Sequence, residues 1–277
     1  LLNQPFTAEI KPTPDLGRYL LGEFIPLLSG MLEGENPIKA YINPQGFALP
    51  LSPLDAKSIR IPYAILDVGK IHFSNTGQLS KVVSVFAQQT SEHLSVWFTP
   101  LYFSYLDSVL KIERVDMLVA GQYPIAAWGT VNVATDKVKM IVALTGTALA
   151  KAFNVKVSNK DFMIQLPLKG TLSNASIDKG QATTRITALI AQSKGGPHGL
   201  ILGTVLNIAG GGLKEEKVPS PTTNPLPWSD LLENEPEEPA PTEKKEKTAK
   251  IKDFNPSKEI QNEVQKGAES LIKKIFR

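Results

Sequence analysis

The sequence predicts an α+β fold in which antiparallel β-strands dominate. Three observations support this prediction. About eight segments alternate apolar and polar residues with a period of two, or are rich in β-branched and aromatic residues. Short turns join most of these segments, as in an antiparallel meander. Apolar residues with helical spacing interrupt the strands at only a few places.

The N-terminal half supplies most of the predicted elements. A helix is expected over residues 16–31, kinked near Pro26. A short helix with one apolar face is expected over residues 79–86, because Asn75 and Gln78 have the spacing of a capping box. The strand candidates around these helices are residues 38–42, 46–51, 59–73, 93–103 and 108–120.

The clearest alternation lies between residues 130 and 169. Strands are predicted over 130–133 and 137–144, joined by a three-residue turn, and again over 162–169. Since alternate side chains of a strand face the same side, these strands present one apolar face. Its members are Val131, Val133, Val138, Met140, Val142, Leu144, Phe162, Ile164, Leu166 and Leu168. Further short helices are predicted near residues 186–190 and 200–208.

A change of composition near Leu213 divides the chain into three parts. Residues 1–213 form the predicted β-rich domain with its N-terminal helix. Residues 214–254 form a linker, because Lys214 to Lys250 contains seven prolines, nine acidic residues and six lysines with few bulky apolar side chains. Such a composition buries too little apolar area to offset the entropy of ordering, and predicts disorder and protease sensitivity.

The third part, residues 255–277, is predicted to be an amphipathic helix. Asn255 is a good N-cap and Pro256 suits the first helical position. An apolar stripe with steps of three and four follows, beside basic residues concentrated in the last turn. The residues concerned are Ile260, Val264, Leu271, Ile275, Phe276, Lys273 and Lys274. This helix is expected to bind a membrane surface or a partner, or to dock on its own domain.

Motifs for catalysis and for cofactor binding are missing from the sequence. It has no cysteine and no G-x-S-x-G, H-E-x-x-H, P-loop, G-x-G-x-x-G or EF-hand motif. The three histidines are far apart, without metal-ligand spacing. A net charge of +3 argues against a nucleic-acid partner, and no apolar run is long enough for a transmembrane helix. We therefore expect no enzyme activity, no cofactor and no metal.

Four phrases of the sequence are similar to those of a known family. They are residues 112–119 (IERVDMLV), 125–133 (IAAWGTVNV), 138–144 (VKMIVAL) and 166–174 (LPLKGTLSN). In this order they resemble the C-terminal part of AsmA-like proteins, a superfamily that includes TamB- and YhdP-like bacterial envelope proteins. The closing amphipathic helix is also similar to the family's C-terminus. Ala175 stands where the family commonly has proline, so the exit from the last strand departs from the pattern.

The resemblance implies a curved, taco-like sheet whose apolar inner face carries lipid acyl chains. On this basis the ten apolar residues of strands 130–169 are expected to line a lipid groove. The family is not enzymatic and maintains the outer membrane. The implied location is the periplasm of a diderm bacterium, with an inner-membrane anchor formed by an N-terminal segment that this chain lacks. The implied partners are a phospholipid or other acyl lipid, the membrane surface and other envelope proteins.

A different class of function remains open at this point. The apolar face is equally consistent with a closed core, in which case the chain is a structural or interaction protein that recruits a partner through its C-terminal helix. The two functions predict different burial. An open trough would tolerate the substitution Ile164→Asn, whereas in a closed core the same change would leave a buried amide unpaired.

Overall fold

One large, open β-sheet organises the chain. The computed structural model describes residues 3–50, 56–75, 78–86, 93–154, 162–194 and 217–233. All strand pairs within this part are antiparallel, which confirms the predicted α+β class. The strands are β1 (Phe6–Ile10), β2 (Met31–Gly34), β3 (Ile38–Ile42), β4 (Ile61–Asp67), β5 (Lys70–Ser74), β6 (His93–Phe98), β7 (Leu101–Leu106), β8 (Val109–Val119), β9 (Tyr123–Asn132), β10 (Lys137–Thr145), β11 (Met163–Gly170) and β12 (Ala175–Ile177).

Apart from one of sixteen residues, the helices of the described residues are short. The first is continuous through α1 (Pro14–Leu16), a π-helical segment (Gly17–Leu21) and α2 (Gly22–Phe24), and a 3₁₀ turn (Pro26–Leu28) follows it. The others are a 3₁₀ turn at Ala56–Ser58, α3 (Gln78–Val83), α4 (Gly146–Phe153), α5 (Lys179–Lys194) and α6 (Ser229–Glu233). We refer to residues 14–28 as the N-terminal helical segment.

The strands β4 and β5, and likewise β6 and β7, are separated by short interruptions that keep the register, and we call this line of interruptions the bend. Leu66 of β4 pairs with Leu101 of β7, and Lys70 of β5 pairs with Trp97 of β6. Lys70 lies four residues after Leu66, and Trp97 lies four residues before Leu101, so the antiparallel register is the same on both sides of the interruption. The interruptions lie side by side at residues 68–69 and 99–100. β8 spans the bend, pairing with β7 through its first half and with β6 through its end.

The inner face of the bent sheet holds one continuous hydrophobic core. Inward-facing residues of β2 through β12 belong to a single cluster, on both sides of the bend. Ile71 and Phe73 come from one side, and Ile164 and Leu166 come from the far end of the sheet. Helices from separate parts of the chain contribute the opposite wall, including Leu28, Leu79, Leu149 and Ile186. The core is therefore a sheet covered by helices.

Most of the predicted strands are present, with three differences of note. Of the predicted strand 46–51, the described residues 46–50 form no strand and have a single isolated bridge, between Ala48 and Arg60, while Leu51 lies outside the described residues. The predicted strands 59–73 and 93–103 are each divided by the bend. The helix α4 was not predicted, although Thr145 caps its first turn by accepting a hydrogen bond from the Ala148 amide.

Part of the predicted disordered linker is ordered and packs on the outer face of the sheet. Residues 217–233, which we call the strap, place Trp228 in a fully buried position against Trp97, with ring centroids 5.8 Å apart. Val218 packs against the outer-face cluster of Ala126, Trp128 and Ala143. Disorder was predicted for the whole linker, whereas the structure buries Trp228 of the strap, and one tryptophan buries as much apolar area as several small residues. Residues 234–254 lie outside the described residues.

Candidate functional site

The structure brings the predicted lipid-groove residues together on one face of the sheet. Cross-strand pairs join Val131 with Val138, and further pairs link β10 with β11. These further pairs are Met140–Leu168, Val142–Leu166 and Leu144–Ile164. Eight of the ten side chains are at most 2% exposed, while Val133 and Phe162 are half-buried and pack against the same core. The predicted face therefore exists and is contiguous.

This face is covered by the protein's own helices. Leu149 of α4, Ile186 and Leu189 of α5 and Val82 of α3 are all at most 3% exposed and lie in the same cluster. Among the described residues, the inner face is thus a closed core in the state that the structure shows. This settles the burial question left open by the sequence. Whether these residues contact lipid stays a prediction.

The end of the sheet next to α5 is protected by a buried arginine. Arg185 of α5 is 4% exposed, and its guanidinium donates a hydrogen bond to the carbonyl oxygen of Gln165. β12 pairs with only three residues of β11, from Leu168 to Gly170. Arg185 therefore supplies a donor to β11 beyond the end of β12, which is where a free sheet edge would otherwise invite pairing with another chain.

A buried ion pair holds the strap on the outer face. Arg114 and Asp116 of β8 are 7% and 2% exposed, and their closest N–O distance is 2.7 Å. Arg114 also donates a hydrogen bond of 2.9 Å to the carbonyl oxygen of Pro219 in the strap. Burial raises the pKa of the Asp116 carboxyl, and the ion pair with Arg114 acts in the opposite direction. Arg114 thus connects Asp116 of β8 to the backbone of the strap.

A polar pocket of about 390 Å³ lies where the N-terminal helical segment meets β2, β5 and α3. The polar side chains that line it are Arg18, Ser29, Ser74, Gln78, Lys81 and Ser173. Arg18 and Lys81 are exposed, whereas Gln78 is 7% exposed and donates a 2.7 Å hydrogen bond to the Ser173 carbonyl. Met31, a residue of the apolar core, forms part of the wall.

The position of Arg18 depends on the close seating of the N-terminal helical segment. A Cβ on Gly17 would lie 2.8 Å from Cβ of Met31, so only glycine allows this approach without a shift. Arg18 follows within the π-helical segment, a rare geometry that is often found at functional sites. Its side chain lies beside the Tyr19 ring, 5.7 Å from the centroid.

The pocket was not predicted from the sequence. Its residues come from four separate stretches of the chain, which meet only in the folded structure. Of these residues, only Gln78 has a local sequence signal, as part of the predicted capping box. The C-terminal helix residues Ile260, Val264, Leu271, Lys273, Lys274, Ile275 and Phe276 lie outside the described residues.

A scan against protein-family models, a search of curated proteins and a search of solved structures each found no match. Within the described ranges, no three His, Asp or Glu side chains cluster in a way that could hold a metal ion. The same ranges contain no helix that is long and apolar enough to span a membrane.

Proposed function

We propose that this chain is a non-enzymatic lipid-handling module of the bacterial envelope, which shields acyl chains on the inner face of its sheet. One observation carries the proposal: the inward residues of β2 through β12 form one apolar surface, uninterrupted by the bend. The resemblance of residues 112–119, 125–133, 138–144 and 166–174 to AsmA-like proteins agrees with it. The proposed location is the periplasm of a diderm bacterium.

The energetics of lipid transfer require only such a surface. Exposing an acyl chain to water costs about 0.8 kcal/mol per CH₂ group, so about twenty groups cost on the order of 15 kcal/mol. An apolar sheet face removes most of this cost by taking the place of the bilayer. It does so without any acid, base or metal, which agrees with the lack of catalytic motifs in the sequence.

The closed inner face requires that lipid entry displaces part of the cover. The cover comes from separate parts of the chain, and two of its helices are short, with six residues in α3 and eight in α4, whereas α5 has sixteen. A short helix buries less apolar area than a second sheet, so the free energy of displacing it is correspondingly smaller. Acyl chains that replace the helix restore the lost apolar contacts, so the net free-energy change of replacing the helix by lipid is small.

A second candidate function is favoured by the burial itself. Eight predicted groove residues are at most 2% exposed, as in the core of an ordinary domain. In this alternative the sheet is a permanently closed scaffold, and residues 255–277 recruit a partner. The alternative predicts that the purified chain carries no lipid and does not gain stability from lipid.

Native mass spectrometry separates the two functions. The full chain, purified without detergent, is expected to show adducts with the masses of phospholipids, which dissociate at raised collision energy. Monomeric short-chain phospholipid should also raise its melting temperature, since a ligand that binds the folded state stabilises it. Adduct-free spectra together with an unchanged melting temperature would favour the closed scaffold.

A further inference from the structure

The polar pocket carries an excess of positive charge. Arg18 and Lys81 both line it, no Asp or Glu is among the lining residues, and neither cation has an ion-pair partner in the described part of the chain. An anion held between the two side chains would offset this excess of positive charge. The pocket therefore has the charge of an anion site.

The remaining polar groups suit the oxygens of a phosphate. The hydroxyl groups of Ser29 and Ser173 also line the pocket, and a hydroxyl group can donate a hydrogen bond to a phosphate oxygen. Phosphate oxygens accept several such bonds at once, together with charge-assisted bonds from Arg and Lys. We propose that this pocket binds a phosphate group, with Arg18 and Lys81 as its cationic ligands.

The size and the wall of the pocket favour a phosphate ester over the free ion. A volume of about 390 Å³ exceeds the needs of inorganic phosphate and falls within the range of small-molecule sites. Met31 contributes to the wall and is 2% exposed within the apolar core. A phospholipid bound by its phosphate would thus have its acyl chains next to the covered inner face. This reading of the ester as a lipid headgroup rests on the proposed function.

The proposal is tested by titrating the full chain with three probes. They are monomeric dihexanoyl phosphatidylglycerol, inorganic phosphate, and dihexanoyl glycerol, which has the same acyl chains without the phosphate. The double variant Arg18→Gln/Lys81→Gln should weaken binding of the phosphatidylglycerol at least about ten-fold. The control Lys111→Gln/Lys139→Gln removes two exposed lysines from the outer face of the sheet and should change the affinity less than about two-fold. Circular dichroism verifies that both variants are folded.

The three probes distinguish the source of the phosphate. A lipid headgroup predicts that phosphatidylglycerol binds much more tightly than inorganic phosphate. Equal affinities that both depend on Arg18 and Lys81 would support the phosphate site and assign it to a soluble ligand. The proposal is overturned if the double variant binds phosphatidylglycerol as the wild type does. Dihexanoyl glycerol has no phosphate, so its binding tests only whether the inner face accepts acyl chains. If it binds while the double variant has no effect on phosphatidylglycerol, the pocket proposal fails and the proposed function stands. If it does not bind, the proposed function fails separately from the pocket.

Discussion

At the scale of single residues, the outer face of β8 depends on a buried charge pair. Arg114 and Asp116 are desolvated together, and three hydrogen bonds link the guanidinium to the carboxylate. The Asp116 amide donates a further bond of 3.0 Å to the Thr99 hydroxyl, at the bend of the sheet. Such a pair contributes little net stability, but the loss of one partner leaves a buried charge without compensation.

We therefore expect Arg114→Leu to lower the free energy of unfolding by about 3–5 kcal/mol. The double variant Arg114→Leu/Asp116→Leu should recover most of that loss, because it removes both charges from the interior. Urea denaturation of the two variants measures the difference. A double variant as unstable as Arg114→Leu alone would show that the hydrogen bond to Pro219, and not the unpaired carboxylate, is decisive.

The raised pKa of Asp116 has a consequence for the pH dependence of stability. The folded state binds the Asp116 proton more tightly than the unfolded state does. The resulting stabilisation is complete below the usual Asp pKa of about 4 and is lost as the pH rises through the raised value. Relative to Asp116→Asn, the wild type should lose free energy of unfolding over this range. A constant difference between the two proteins would contradict the assignment.

Gly129 of β9 allows β9 and β10 to approach each other closely. Its φ is +139°, and a Cβ here would collide with the carbonyl oxygen of Lys139 on the neighbouring strand. Gly129→Ala should therefore cost about 2–3 kcal/mol of stability through strain and overpacking. Gly121→Ala is the matched control, since its φ is also positive but a Cβ would meet nothing within 4 Å. Thermal melts of both variants give the comparison.

At the scale of elements, the strap shows how a few side chains order a segment of unfavourable composition. Trp228 is fully buried against Trp97, and Thr222 donates a hydrogen bond to the Arg114 carbonyl. These contacts join the strap to the outer face at separate points. Proline-rich segments lose less entropy on ordering than flexible ones, because their backbone is already restricted.

We expect the strap to resist proteolysis in the wild type and to become a cleavage site in Trp228→Ala. Loss of a buried tryptophan contact costs about 3–5 kcal/mol in a core, which is enough to detach so short a segment. Leu231→Ala, at a position that is 57% exposed, is the control and should leave the cleavage pattern unchanged. Early cleavage between residues 217 and 233 in the wild type would mean that the strap is not held as described.

The elements differ in how far the sequence predicted them. Period-two alternation identified β3, β8 and β10 closely, because each has one face in the core and the other on the outer side. It missed β1, which has no buried residue to mark it, and β12, which is only three residues long. It also missed α4, whose eight residues are too few for a clear helical period. The bend, the strap and the pocket depend on contacts between distant segments, which a single sequence does not encode locally.

At the scale of the whole molecule, one bent sheet forms an apolar face, and short helices close it. The sequence alone indicated the face but not the cover, so it left open whether Ile164→Asn would be tolerated. In the structure Ile164 is 1% exposed, and an asparagine there would have an unpaired amide. Ile164→Asn should therefore cost about 3 kcal/mol or more, whereas Lys169→Asn at the exposed end of β11 should be neutral.

The most direct test of lipid handling is to ask where an acyl chain contacts the protein. The full chain is incubated with a phospholipid that carries a photoactivatable group near the end of its acyl chain, and the cross-linked peptides are identified by mass spectrometry. We predict cross-links to peptides containing Val142 and Ile164, which are reached only when the helical cover is displaced. Cross-links confined to exposed residues such as Tyr19 and Leu20, with none in β10 or β11, would contradict the proposed function.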